Sequence, residues 1–176
     1  MITKTIMVYC SRYGTTKTYA HWIAEALSCD CIEVAQASNY DLFSYDMVVY
    51  GGGLYASGIA GIKKLKKHHL KQLVLFTVGL ADPASTDYSQ IIKSNMKSIT
   101  ADVTKSFHLR GGIDYSRLGI IHKSGMAMLK KVVLDKKTES ELTSDDKIMI
   151  ATYGSKVDFV SKETIKPIID YVECQA

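Results

Sequence analysis

Proline, tryptophan and paired cysteines are scarce in this 176-residue chain, which holds 2 Pro, 1 Trp and 4 Cys. So few prolines exclude a Pro-rich linker or a low-complexity tract. Cys10, Cys29, Cys31 and Cys174 lack paired ligand spacing, because the C-x-C at 29–31 has no second pair nearby. A zinc module is therefore not expected, and the four read as reduced thiols. No apolar run approaches the ~18 residues that a membrane span needs. The opening MITKTIMVYC is too short for a signal-peptide core, so a cytoplasmic location is the default expectation. Neither a Walker loop nor a G-x-G-x-x-G fingerprint occurs. No Ser-His-Asp order or carboxylate pair can be placed. The five histidines (His21, His68, His69, His108 and His122) read as core or surface packing, and no catalytic residue or metal ligand is assigned.

What is present is an ordinary globular composition, 47% apolar and 23% charged. At this length a single domain, residues 1–176, buries roughly two thirds of the surface its unfolded chain exposes. β-branched and aromatic runs predict strands at 4–10, 31–36, 46–53, 73–79 and, more weakly and at an edge, 105–109. Between them, apolar residues at helical spacing predict helices over 16–27, 59–69 and 87–99. Strand and helix in alternation close with right-handed crossovers into an α/β fold: a doubly wound, five-stranded parallel sheet with helices on both faces, a three-layer sandwich. Residues 114–137 break the rhythm as an apolar and basic helical insertion. Residues 138–147 read as a loop. A closing helix spans 158–174, with Pro167 either kinking it or setting a late restart.

In such a sheet, ligands bind outside the carboxyl ends of the strands, where the order of connections reverses. Three glycine-bearing loops are predicted there. The first, Ser11 to Thr16 in YCSRYGTTKTYA, opens a helix whose first amides lack intrahelical partners, and those amides can bind a phosphate. Gly14 permits positive φ or close approach. Ser11, Thr15 and Thr16 add hydroxyls, and Arg12 or Lys17 adds charge at the rim. Taken alone, the same loop reads as a well-capped helix start. The others are GGGLYASG (51–58) and GLADPAST (79–86), where glycine lets backbone pack against a flat ring and Tyr55 offers an aromatic face. Three such loops on one rim point to a flat, phosphorylated cofactor.

YCSRYGTTKTYAHWIAEAL resembles the phosphate loop and first helix of the flavodoxin family, [ST]-x-[ST]-G-x-T, through Ser11, Gly14 and Thr16. Tyr13 stands where that family usually carries a hydroxyl. YDMVVYGGGLYASGIAGIKKLKK and LRGGIDYSRLGIIHKSGMAMLKK are similar in layout to the flavodoxin-like protoporphyrinogen dehydrogenases of bacteria. The resemblance implies a flavodoxin-like fold, FMN as cofactor and electron transfer as activity. It places the phosphate at Ser11, Arg12, Tyr13, Gly14, Thr15 and Thr16. The ring falls between Gly53, Leu54, Tyr55 and Ala56 on one side and Gly79, Leu80, Ala81 and Asp82 on the other. Flavodoxin with its FMN is a standard example of the switch-point rule, so this placement is borrowed from the rule rather than derived. A Gly52–Gly53 peptide flip or the charge of Asp82 would then tune the ring.

Charge separates the function classes. The chain carries a net +4, from 22 Lys and Arg against 18 Asp and Glu. Flavodoxin shuttles are acidic as a family, so the enzyme reading is favoured: a flavin-dependent dehydrogenase of the protoporphyrinogen oxidase type, acting on a small organic donor or quinone. A shuttle serving a redox partner protein and a flavin-free regulatory domain are the alternatives. The basic excess clusters in KKLKKHHLK (63–71) and KSGMAMLKK (123–131). The first reads as a solvated face, or as a surface for an acidic partner or anionic membrane. The second reads as a helix packed on the sheet or in a homodimer contact, or as a peripheral membrane element. No nucleic-acid partner is expected, since no aromatic-interleaved motif accompanies the lysines.

Overall fold

A computed structural model describes residues 4–55, 58–84, 86–97, 99–117, 120–136, 138–142, 147 and 150–175 of the chain. It divides into two units, one of residues 1–79, 88–109 and 161–176, the other of residues 80–87 and 110–160. The insertion foreseen at 114–137 falls in the second.

In the first unit the predicted strands form β1 (Thr5–Cys10), β2 (Asp30–Glu33), β3 (Met47–Tyr55), β5 (Gln72–Gly79) and β6 (Asp102–Arg110). They lie in the order β2-β1-β3-β5-β6, with β1 parallel to β2 and β3, and β3 parallel to β5. The sheet gains a short sixth strand, β4 (Gly58–Ile59), antiparallel to β3. The glycine triplet 51–53, read both as the end of the 46–53 strand and as the start of a glycine-bearing loop, lies inside β3, which runs on to Tyr55. Gly51 pairs with Phe76 in register, and a Cβ on Gly51 would lie 2.2 Å from Phe76 Cζ, so this strand position has room only for glycine beside the buried ring.

Period-two alternation splits the strand side chains between two faces. Ile6, Val8, Val48, Tyr50, Leu73 and Leu75 join Ile32, Val34, Ile62, Leu65 and Ile99 in one buried cluster. Helix α1 (Thr15–Leu27) buries Tyr19, Ala20, Ile23 and Ala24, and packs on β1, β3 and β5 and on α4 (Lys166–Cys174). Ser28, at φ 50°, ends α1 with its N–H donating to the carbonyls of Ala24 and Glu25, a left-handed cap.

Four predicted elements differ in type or bounds. Residues 59–69 are not one α-helix: Ile59 ends β4, and Ile62–Lys67 forms a 3₁₀ segment. Within that segment Ile62 and Leu65, three apart, are the buried residues, and in a 3₁₀ helix residues three apart share one edge. The second strand ends at Glu33, where Val34–Asn39 turns into 3₁₀ helix under a capping box of Glu33 and Gln36. The closing helix restarts late, at Lys166, with Pro167 in its first turn, where a missing N–H costs nothing. Helix α2 (Ser89–Met96) is shorter than the predicted 87–99.

Tyr50, fully buried, donates its hydroxyl hydrogen to the Ala60 carbonyl at 2.6 Å. Replacing it with phenylalanine orphans that carbonyl, and urea unfolding should show a loss of about 1–2 kcal/mol. Burial first, then the nearby Cys10, raise this phenol's pKa far above its usual 10.0. The folded chain holds the proton more tightly than the unfolded one. The stabilisation is thus complete below pH ~10 and is lost as pH rises beyond it, a limb that Tyr50→Phe should lack.

The second unit pairs β7 (Gly112–Asp114) with antiparallel β8 (Lys156–Asp158), a ribbon not foreseen because three-residue strands are too short for periodicity to register. Helix α3 (Ile120–Lys136) leaves Met128 71% exposed. Lys130 Nζ lies 4.2 Å from the Tyr153 ring centroid, and Tyr153 tilts against Tyr115 at 5.2 Å. The Arg110 guanidinium stands 3.8 Å over Phe159, and its Nε–H donates to the Leu80 carbonyl at 3.3 Å. Among the described residues no helix is long and apolar enough to cross a membrane.

Candidate functional site

The chain leaves β1 for β2 on one side and returns to β3 on the other, so the order of connections reverses between β1 and β3. Ser11–Thr16 follows the carboxyl end of β1, and Gly53–Tyr55 forms the carboxyl end of β3. The candidate site within the first unit is built on these two neighbouring strand ends.

Gly14 is the N-cap of α1 at φ 99°, left-handed, and no side chain caps the helix. The hydroxyls that could have closed the helix start do other work. Ser11 Oγ accepts from the Gly14 N–H at 3.1 Å and holds the turn, while Thr18 donates both its N–H, at 2.9 Å, and its hydroxyl, at 3.3 Å, to the Gly14 carbonyl. Among the described residues no side chain caps the amides of the first turn, which lack intrahelical acceptors by their position. A Cβ at Gly14 would meet nothing within 4 Å. Thr16 is 3% exposed, Thr15 and Ser11 are half-buried, and Arg12 is exposed.

Arg12 and Tyr13 reach the neighbouring strand end. The Arg12 guanidinium lies 5.5 Å from the Tyr55 ring centroid, and Tyr13 meets Tyr55 edge-on at 6.5 Å. Tyr55 folds back on Gly53, where a Cβ would lie 2.9 Å from the ring. Burial raises the Tyr55 pKa and outweighs the lowering effect of Arg12, so the ring is a neutral phenol. Gly52 and Gly53 are held in the ladder by β1 and β5, and the Gly53 carbonyl accepts from the Ala60 N–H at 2.9 Å. The expected flexible pair is thus tied down, and a flip of its peptide breaks strand pairing. Cys10, ending β1, has its thiol pKa raised by burial and by Glu33, against Lys64 and Arg12, and burial pushes the Cys29 thiol up to about 11.

At the end of β5, Gly79 meets Leu54 and His108: a Cβ there would lie 3.6 Å from Leu54 Cδ1 and 3.1 Å from His108 Cε1. The His108 ring stacks on Tyr88 at 3.8 Å, and its Nδ1 lies 2.7 Å from Thr77 Oγ1. Sequence reasoning gave His108 no role beyond packing, and no spacing joins residues 77, 88 and 108. Only the adjacency of β5 and β6 does. The other predicted ring contacts, Leu80, Ala81 and Asp82, belong to the second unit. There the Leu80 carbonyl is taken by Arg110, and Asp82 Oδ1 accepts from the Ala84 N–H at 2.9 Å. Ala56 lies outside the described residues.

The structure therefore brings together Ser11–Thr16, Gly53 and Tyr55, and sets Leu54 beside Gly79. The family model described as a flavodoxin domain matches residues 6–141. Among curated proteins none matches. Similar solved structures include a Lactobacillus acidophilus flavoprotein in complex with FMN, at 13% identity, a TM-score of 0.45 and coverage of 60% of this chain and 93% of that one. Oxidised flavodoxin 2 of Bacillus cereus matches at 18% identity and a TM-score of 0.47, covering 61% and 84%. Two-electron reduced flavodoxin of Megasphaera elsdenii matches at 16% identity and a TM-score of 0.48, covering 59% and 84%.

Proposed function

The chain belongs to the flavodoxin family, and we propose from this and from the geometry of its first loop that it is an FMN-binding flavoprotein working in electron transfer. The observation that carries the reading is the uncapped start of α1 behind a left-handed Gly14. Neutral amides and hydroxyls around open space fit a phosphate ester, which accepts hydrogen bonds and is favoured by the positive end of the helix. Ser11 fixes the turn, Thr15 and Thr16 add hydroxyls, and Arg12 adds charge at the rim. Tyr55 and Tyr13 supply aromatic faces and edges for a flat ring. FMN, when bound, supplies one- and two-electron chemistry that these side chains do not possess.

Within that activity the chain reads as an oxidoreductase acting on a small organic donor or quinone, of the protoporphyrinogen dehydrogenase kind, rather than as a shuttle. Its net charge of +4 supports this, because an acidic face is what a shuttle offers to basic partners. Purified protein titrated with FMN should quench flavin fluorescence at one equivalent. Tyr55→Ala should weaken binding by about tenfold through lost stacking. Absence of quenching in the unmodified chain refutes the cofactor reading. If flavin binds but anaerobic protoporphyrinogen and quinones leave its absorbance unchanged, the enzyme reading fails and the shuttle stands.

A further inference from the structure

The lysine run at 63–71 begins near the carboxyl end of β1, where Lys64 lowers the Cys10 pKa, and runs back to a cleft at the opposite end of the sheet. The cleft, about 480 Å³, is lined by Asp41, Leu42, Phe43, Lys67, His68 and His69. Met47 and Gln72, which begin β3 and β5, are paired in register, so residues 41–46 and 67–71 sit at the amino ends of the strands. The length of β3 puts Tyr55 roughly 25 Å away. The geometry points to a docking site for an acidic, extended polypeptide segment that sets carboxylates against the lysines and one apolar side chain against Phe43.

Three observations carry this. First, Phe43 is 57% and Tyr40 37% exposed, apolar surface left open beside the cleft. Second, the local charge is one-sided. Lys63, Lys64, Lys66 and Lys67 are exposed, and among the described residues none has a carboxylate within ion-pair distance. The nearby acids are engaged: Asp41 accepts from the Phe43 N–H at 3.2 Å, and Asp46 pairs with Lys71 at 2.8 Å and accepts from the Lys4 N–H. Third, the spacing fits. On a 3₁₀ segment rising ~2.0 Å per residue, Lys63 and Lys66, and likewise Lys64 and Lys67, lie ~6 Å apart on shared edges. Side chains on one face of an extended peptide recur every ~6.7 Å.

Nucleic acid fits less well. Residues 40–71 contain no arginine to fork onto phosphates, and Lys71 already lies 5.7 Å from the Phe43 ring centroid. A bilayer surface does not enter a cleft.

The probe is a nonapeptide alternating glutamate with serine around one central leucine, titrated into ¹⁵N-labelled full-length protein. Amide shifts confined to residues 40–46 and 62–71, with affinity falling as salt rises, are the expected result. The Lys66→Glu/Lys67→Glu double variant should weaken binding by about tenfold, and both side chains are exposed, so circular dichroism should be unchanged. Phe43→Ala should weaken the leucine peptide but not an all-serine version. The proposal is overturned by shifts elsewhere or none, by an affinity indifferent to the charge reversals, or by tighter binding of single-stranded RNA or anionic vesicles to the same amides. FMN titration does not enter these readouts, so the docking site stands or falls apart from the cofactor.

Discussion

Replacing Gly14 with valine is expected to weaken FMN binding by about a hundredfold while costing about 1–2 kcal/mol of stability. The stability part comes from backbone alone. At φ 99° a β-branched residue is forced into a left-handed conformation that costs about 1–2 kcal/mol, and no neighbour lies within 4 Å to clash with its Cβ. The binding part comes from the amides that follow. If valine relaxes towards negative φ, the first turn no longer presents its N–H groups together, and losing two charge-assisted hydrogen bonds at about 1.5 kcal/mol each amounts to about a hundredfold. Gly14→Asn separates the two effects, because asparagine tolerates left-handed backbone. It should unfold at nearly the wild-type urea concentration and still bind FMN weakly, since its side chain points into the space proposed for the phosphate. Fluorescence titration and urea unfolding on the same samples give both numbers. Wild-type affinity in both variants would sink the phosphate-loop assignment.

Gly51→Ala should be the more damaging change to the fold, at about 2–3 kcal/mol, lowering Tm by roughly 5–10 °C. The added methyl would stand 2.2, 2.6 and 2.7 Å from three ring carbons of Phe76, which is fully buried at the paired position of β5. Neither strand can retreat, since β3 is bonded to both β1 and β5. The ring must therefore leave its position in a core packed at crystal-like density. Phe76→Leu alone removes ring atoms and leaves a cavity, a loss of about 1–2 kcal/mol. In the double variant the methyl fills part of that space. Its loss should fall at least about 1 kcal/mol short of the two single losses added together. Additive losses would mean that the close approach is relieved by some other movement.

The contact between Gly51 and Phe76 also marks where the sequence was opaque. A glycine triplet after an apolar run carries the signature of a turn, and nothing local distinguishes that from a strand whose neighbour needs the space. The distinction lies in Phe76, 25 positions later, and in a register that only the folded sheet defines. The same holds for Ile59–His69, whose spacing suits an α-helix until β4 takes the first residue and exposure the last. Strands β1 and β5 were legible because both of their faces are buried, which demands continuous apolar runs. The phosphate loop was legible because its chemistry is local: the amides and hydroxyls of the six residues Ser11–Thr16 need no partner from elsewhere. The aromatic side of the site was half legible. Tyr55 announced itself as an aromatic face in a glycine-bearing loop, whereas its meeting with Arg12 and Tyr13 depends on β1 and β3 being neighbours.

Cys10 stands directly before the loop proposed to hold a redox cofactor, and its proton affinity, like that of Cys29 and Cys31, is elevated by burial. A cysteine sulfur attacks peroxide or a disulfide only once it is deprotonated. At neutral pH these three sulfurs therefore hold less thiolate than exposed cysteines would, and burial slows their oxidation beside the loop.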